Sequence, residues 1–159
     1  MDTIALLITI LERDVVARNI VIDGWQDRSA GTISLKSLLG ANDFDISERI
    51  IRVFTPALVE TPSILVQGLD DSQNNLAPGF AQNRANRGSI QITCLADDGE
   101  SAIGIANRVQ GLYREPIPLD LQIYDRVYDL DQSSREEPYE NETQTFRIVM
   151  RYSFKTIKV

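Results

Sequence analysis

The sequence predicts an α+β fold: an antiparallel β-sheet with two or three helices packed on one face and long inter-strand loops. Three observations predict it. The stretch TFRIVMRYSFKTIKV, residues 145–159, alternates cleanly, with Phe146, Ile148, Met150, Tyr152 and Phe154 on one side. Arg147, Arg151 and Lys155 stand on the other side with Val149, as an antiparallel strand with one wet face requires. In DDGESAIGIANRVQGLYREP, Ile105, Ala106, Val109, Leu112 and Tyr113 fall on one face of a helix. Two apolar runs of strand character, 62–69 and 88–96, flank the polar stretch DDSQNNLAPGFAQNRANRG, residues 70–88.

Taken in order, residues 2–17 read as a helix. Asp2 or Thr3 serves as N-cap, and Ile4, Leu7, Ile8, Leu11 and Val15 recur at helical spacing. NIVID, 19–23, reads as a short strand ending at Asp23-Gly24, and QDRSAG as loop. A short helix is expected around 32–39 with Gly40 as its stop. DISERIIRVFTP is ambiguous between a capped helical turn and an extended segment. PSILVQGL, 62–69, is a continuous apolar run bounded by Pro62 and Gly68, the pattern of a buried strand. In GSIQITCLA, Ile90, Ile92 and Cys94 share a face. The long helix begins at Asp98 or Ser101 and stops at Pro116. LDLQIYDRVYDL, 119–130, reads as the partner strand of 145–159, with Leu119, Leu121, Ile123 and Val127 on one face. A polar hairpin tip over 130–143 joins them.

The totals bound what the chain does. At 159 residues it is most simply one domain, 1–159, long enough for a single core. A net charge of −7 argues against general nucleic-acid binding and suits a basic partner. No stretch has the length of apolar residues that a membrane span needs, and MDTIALLITILERD opens on an acid, unlike a signal peptide. The single Cys94 excludes an intramolecular disulfide, and a reducing compartment such as the cytoplasm is expected for synthesis. The sequence contains no histidine, which removes Ser-His-Asp and Cys-His nucleophile systems and the usual zinc sites.

Carboxylates are the remaining candidates for chemistry. Asp70-Asp71 and Asp97-Asp98 each follow an expected strand, where a metal or an acid/base pair can sit; capping of turns and helices is the simpler role. Cys94 has no cationic neighbour in sequence to lower its pKa and reads as a buried structural thiol. Gly104 and Gly111 lie inside the expected helix, where close packing is their simpler use. Asp129, Asp131, Glu136, Glu137, Glu140 and Glu142 make an acidic cluster around Tyr139 at the hairpin tip. Arg147, Arg151, Lys155 and Lys158 make a basic strip on the last strand. The tip of one subunit meeting the strip of the next is a head-to-tail contact, the kind that closes rings. No cofactor and no catalytic residue is expected.

The order SLLGAND, RIIRVFTPALVETPSILVQG, a long insertion, GSIQITCLADDGESAIGIANRVQGLY and a charged hairpin ending in FRIVMRYSF resembles the tail terminator (tail completion) proteins of tailed bacteriophages and the related head–tail joining proteins. The similarity covers roughly residues 32–159 and rests on the order and character of elements, not on an invariant motif. It implies a small α+β subunit of a hexameric ring, a virion protein made in the host cytoplasm. Its partners would be further copies of itself, the tail tube protein, the head–tail connector or neck protein and, on tails that have one, the sheath. The family has no catalytic residues to carry over. On that reading the 70–88 stretch is an arm toward a neighbour, with Phe80 as apolar anchor and Arg84 and Arg87 as polar contacts. Another phage neck or baseplate subunit, a small α+β module binding a ligand or peptide, and a metal-dependent hydrolase using the Asp pairs are the competing readings.

Overall fold

The computed structural model describes residues 2–22, 25–26, 33–53, 60–73, 85–122, 125–137, 139–140 and 145–158. Helix α1, Thr3–Glu12, opens on Asp2, whose carboxylate accepts from the Ala5 amide at 2.7 Å. Strands β1, Val21–Ile22, and β2, Trp25–Gln26, pair around the Asp23-Gly24 position. Helix α2 is a single turn, Leu35–Leu38, capped by Ser34. Gly40 ends it in the left-handed region at φ 69°, a conformation glycine adopts without a Cβ penalty. The ambiguous DISERIIRVFTP stretch is both things in turn: a 3-10 turn at Ile46–Glu48, then strand β3, Ile50–Arg52.

Strands β4, Ser63–Gln73, and β5, Ala85–Ala96, form an antiparallel pair, and helix α3, Gly99–Arg114, follows. The fold closes with β6, Asp125–Glu136, β7, Tyr139–Glu140, and β8, Thr145–Lys158. The sheet order is β3-β4-β5-β8-β6, with β7 pairing the start of β8. All pairings in this sheet are antiparallel except β3 with β4, so it is mixed; the class is α+β as expected.

Helix α1 lies against β3 and β4, α3 against β5 and β8, and α2 against both helices. The core is therefore on one side of the sheet. Ile64, Val66, Ile90, Ile92, Cys94, Ile148, Met150 and Tyr152 face Leu6, Leu7, Leu11, Ile105, Val109 and Leu112 there. Burial of each large aliphatic side chain contributes about 1.5–3 kcal/mol, the term that sets the register of every strand.

Four expectations need correction. Residues 119–122 are a turn, with the Leu121 amide bonded to the Pro118 carbonyl at 3.0 Å, so Leu119 is exposed and only Leu121 reaches the core. The strand expected there begins at Asp125 and continues to Glu136, so most of the supposed 130–143 tip is strand. Its polarity misled because an edge strand needs a partner on only one side and tolerates charge. Likewise β4 runs to Gln73 and β5 starts at Ala85, so both ends of 70–88 are ladder and only 74–84 separates them. Helix α1 is also shorter than 2–17, ending at Glu12.

Candidate functional site

Alternation along the strands gives the sheet a second face, on which no described helix packs. The registers Ile51↔Leu65↔Thr93↔Val149 put the partly buried apolar side chains Ile51, Leu65 and Val149 in one row across β3, β4, β5 and β8, with the buried Thr93 among them. The next row, Gln67↔Gln91↔Arg151↔Ser134, is polar, and Arg151 Nε donates to Gln91 Oε1 at 3.3 Å. Arg147 belongs to this face opposite Leu95, and Arg87 opposite Lys155. Arg87, Arg151 and Lys155 are exposed; Arg147 is half-buried. An apolar row fringed by arginines matches the composition of protein-docking surfaces.

The acidic residues are placed differently from expectation. Strand β6 runs beside β8, so Asp131 and Glu136 stand next to the basic strip on the same face of the same chain. Two bulges break the β6–β8 ladder, between Tyr128 and Asp131 and between Gln132 and Ser134. Asp129 occupies the first at φ 49° and reaches Lys155 Nζ at 3.2 Å. Glu137 pairs with Arg135 at 3.1 Å, and Arg135 also donates to Asn107 and Gln110 of α3 at 2.8 and 2.9 Å. Part of the charge expected to join subunits thus joins β6 to β8 and α3. Tyr139 pairs with Phe146 along the ladder. Phe80 and Arg84 lie outside the described residues.

Of the candidate acid pairs, Asp97 and Asp98 turn to different partners. Asp98 caps α3, accepting from the Ser101 amide at 2.7 Å and the Ser101 hydroxyl at 2.9 Å, and these bonds hold its carboxyl below the usual range. Asp97 accepts instead from the Thr61 hydroxyl. Asp70 and Asp71 fall at the irregularity in the β4–β5 pairing. Among the described residues no three acids or cysteines come close enough to hold a metal ion. Cys94 is fully buried, and burial pushes its thiol up to about 12. Gly104 packs against the Leu38 side chain of α2, a Cβ there meeting Leu38 Cδ2 at 3.8 Å.

A buried cluster under the helices escaped the sequence reading. Arg108 of α3 has no exposed surface, and Asp14 just past α1 is nearly as buried. Arg108 Nε and Nη2 donate to the two carboxylate oxygens of Asp14 at 2.7 and 2.8 Å, and Nη1 donates to the Arg18 carbonyl at 2.9 Å. Asp14 also accepts from the Leu35 amide at 2.7 Å, which ties in the start of α2. The periodicity held the signal: Ile105, Arg108, Val109 and Leu112 are i, i+3, i+4 and i+7 on one stripe.

Above that cluster, segments 13–18 and 115–120 are joined at both ends. Arg13 clasps Asp120 at 3.1 and 2.6 Å, and Arg18 clasps Glu115 at 2.9 and 2.7 Å. They flank a pocket of about 80 Å3 between Ile10, Leu112, Tyr113, Ile117 and Leu130. That is well below the several hundred Å3 of ordinary ligand sites, so the sheet face is the stronger candidate. No protein-family model matches the sequence, and no curated protein matches it.

Proposed function

We propose that this chain is a structural subunit of a phage virion, a tail terminator that caps the tail tube as a ring, hexameric by the resemblance, and joins it to the head connector. The single observation that carries the reading is the sheet face left uncovered by all three helices, with its apolar row and its arginines. Many antiparallel sheets leave one face to water, but an apolar row fringed by arginines on that face suits a subunit that must touch neighbours, a tube and a connector. The element order agrees with the resemblance: a short helix, a strand after Pro62, a polar-faced strand, a capped helix and an antiparallel pair. The partners are further copies, the tube protein and the connector, and the role requires neither cofactor nor catalytic side chain.

Native mass spectrometry with negative-stain imaging, followed by addition of purified tail tubes, tests the reading. Closed six-membered rings, or tubes capped at the head-proximal end, are the expected results. A protein that neither closes into rings nor binds tube ends overturns it.

A further inference from the structure

The chain separates its charge between two surfaces. Arg87, Arg126, Arg151 and Lys155 are exposed on the outer sheet face, with half-buried Arg147. Asp129, Asp131 and Glu136 of the edge strand β6 share that face, and of these Asp129 is already engaged by Lys155. A chain of net charge −7 with one basic face carries its excess of acid elsewhere. Part of that acid lies at the corner leading into β3, at the other edge of the sheet: Asp43, Asp45 and Glu48 are exposed there. Glu12 of α1 joins them, its carboxyl raised by burial and then by the nearby Asp45. Arg49, the cation within this corner, is turned away, over the Phe44 ring at 4.7 Å and toward Glu60 at 3.5 Å.

We infer that the outer sheet face of one copy docks against the acidic corner at Glu12, Asp43, Asp45 and Glu48 of the next copy, head to tail. The inference rests on the ring reading and assigns its faces. The two surfaces differ, so each subunit uses both and the contact is heterologous, the class that closes into rings. Opposite charge brings the faces together and fixes their orientation, while the half-buried Ile51, Leu65 and Val149 supply apolar area. The β6 acids take a different part from the one first expected: Glu136 borders the docking face and opposes the incoming acidic corner.

The test uses two double variants of exposed residues: Arg87→Glu with Arg151→Glu, and Asp43→Lys with Glu48→Lys. Sedimentation velocity and native mass spectrometry at low ionic strength read the outcome. Each variant alone is expected to lose self-association by at least about tenfold, because like charges then face each other. In an equimolar mixture one pair of faces is native and the other meets with both charges reversed, still opposite in sign, so association returns as assemblies in which the two variants alternate one to one. Glu136→Lys is expected to strengthen wild-type association; weakening would instead make β6 the contact and overturn the inference. Association unchanged in either double variant, or a mixture that stays monomeric, overturns it while wild-type rings leave the ring reading standing. A wild-type chain that is monomeric at every concentration also overturns it, and tube capping then decides the ring reading separately.

Discussion

Removing one partner of the Asp14–Arg108 pair is expected to be among the costliest single changes in the chain. Arg108→Met takes away three charge-assisted hydrogen bonds of 2.7, 2.8 and 2.9 Å and strands the Asp14 carboxylate away from water. What remains for Asp14 is the Leu35 amide at 2.7 Å and Arg18 Nε at 3.8 Å. Breaking a buried ion pair from one side costs about 3–5 kcal/mol, against a total stability of about 5–15 kcal/mol for a domain. For a domain of this size that lowers the melting temperature by roughly 10 °C. Asp14→Asn strands the guanidinium instead and is expected to cost a similar amount. The double variant carries no stranded charge, so it should cost about as much as either single change. The coupling energy is then about as large as one single change, about 3–5 kcal/mol. Urea denaturation of the four proteins, with unchanged m-values, measures it. Single effects below about 1 kcal/mol, or two effects that simply add, would refute the reasoning.

Alkali should unfold the protein in a defined order. Burial raises the Cys94 thiol from 9.0 to about 12, so its contribution to stability is constant below about pH 9 and is lost as pH rises through that window. Burial also raises Tyr113 and Tyr152 above 10.0, which steepens the fall beyond that point. Denaturation midpoints as a function of pH check this, and Cys94→Ala should lose the slope between about pH 9 and 10. Gly68→Ala brings a methyl within 2.5 Å of Ile4 Cδ1 and should cost about 1 kcal/mol, recovered by adding Ile4→Val; a silent single variant counts against the α1–β4 contact. Arg135→Ala frees β6 from Asn107 and Gln110 and should speed amide exchange along Asp125–Glu136 while leaving β5 protected.

The elements with two independent signals were legible. Helix α3 had both a capping Asp98 and an apolar stripe, and β8 had strict alternation, so their bounds came out within a few residues. Strand β6 had neither, because its second half, Asp131 to Glu136, is polar and the apolar alternation at Leu119 and Leu121 belongs to a turn. The burial of Arg108 and Asp14 was hidden by their charge: side chains of that type are assigned to solvent unless a partner is known, and the partner lies 94 residues away. The basic strip was visible in the alternation of β8. Its acidic neighbour on β6 was not, since only the sheet order reveals which strand lies beside which.

Strand β8 comes last in chain order and lies between β5 and β6. During synthesis the β4–β5 hairpin, α3 and β6 are all made before the strand that joins them. Until then the edge of β5 from Ala85 to Ala96 offers unpaired amides and carbonyls, and Ile90, Ile92 and Cys94 have only half their lining. The decisive pairing, Cys94 with Ile148, closes late and across a long stretch of chain, which makes folding slow relative to a local hairpin. The same strand delivers Arg147, Arg151 and Lys155. A growing chain therefore lacks this basic strip until its own core is complete; if the proposed ring forms, folding and the readiness to assemble arrive in one event.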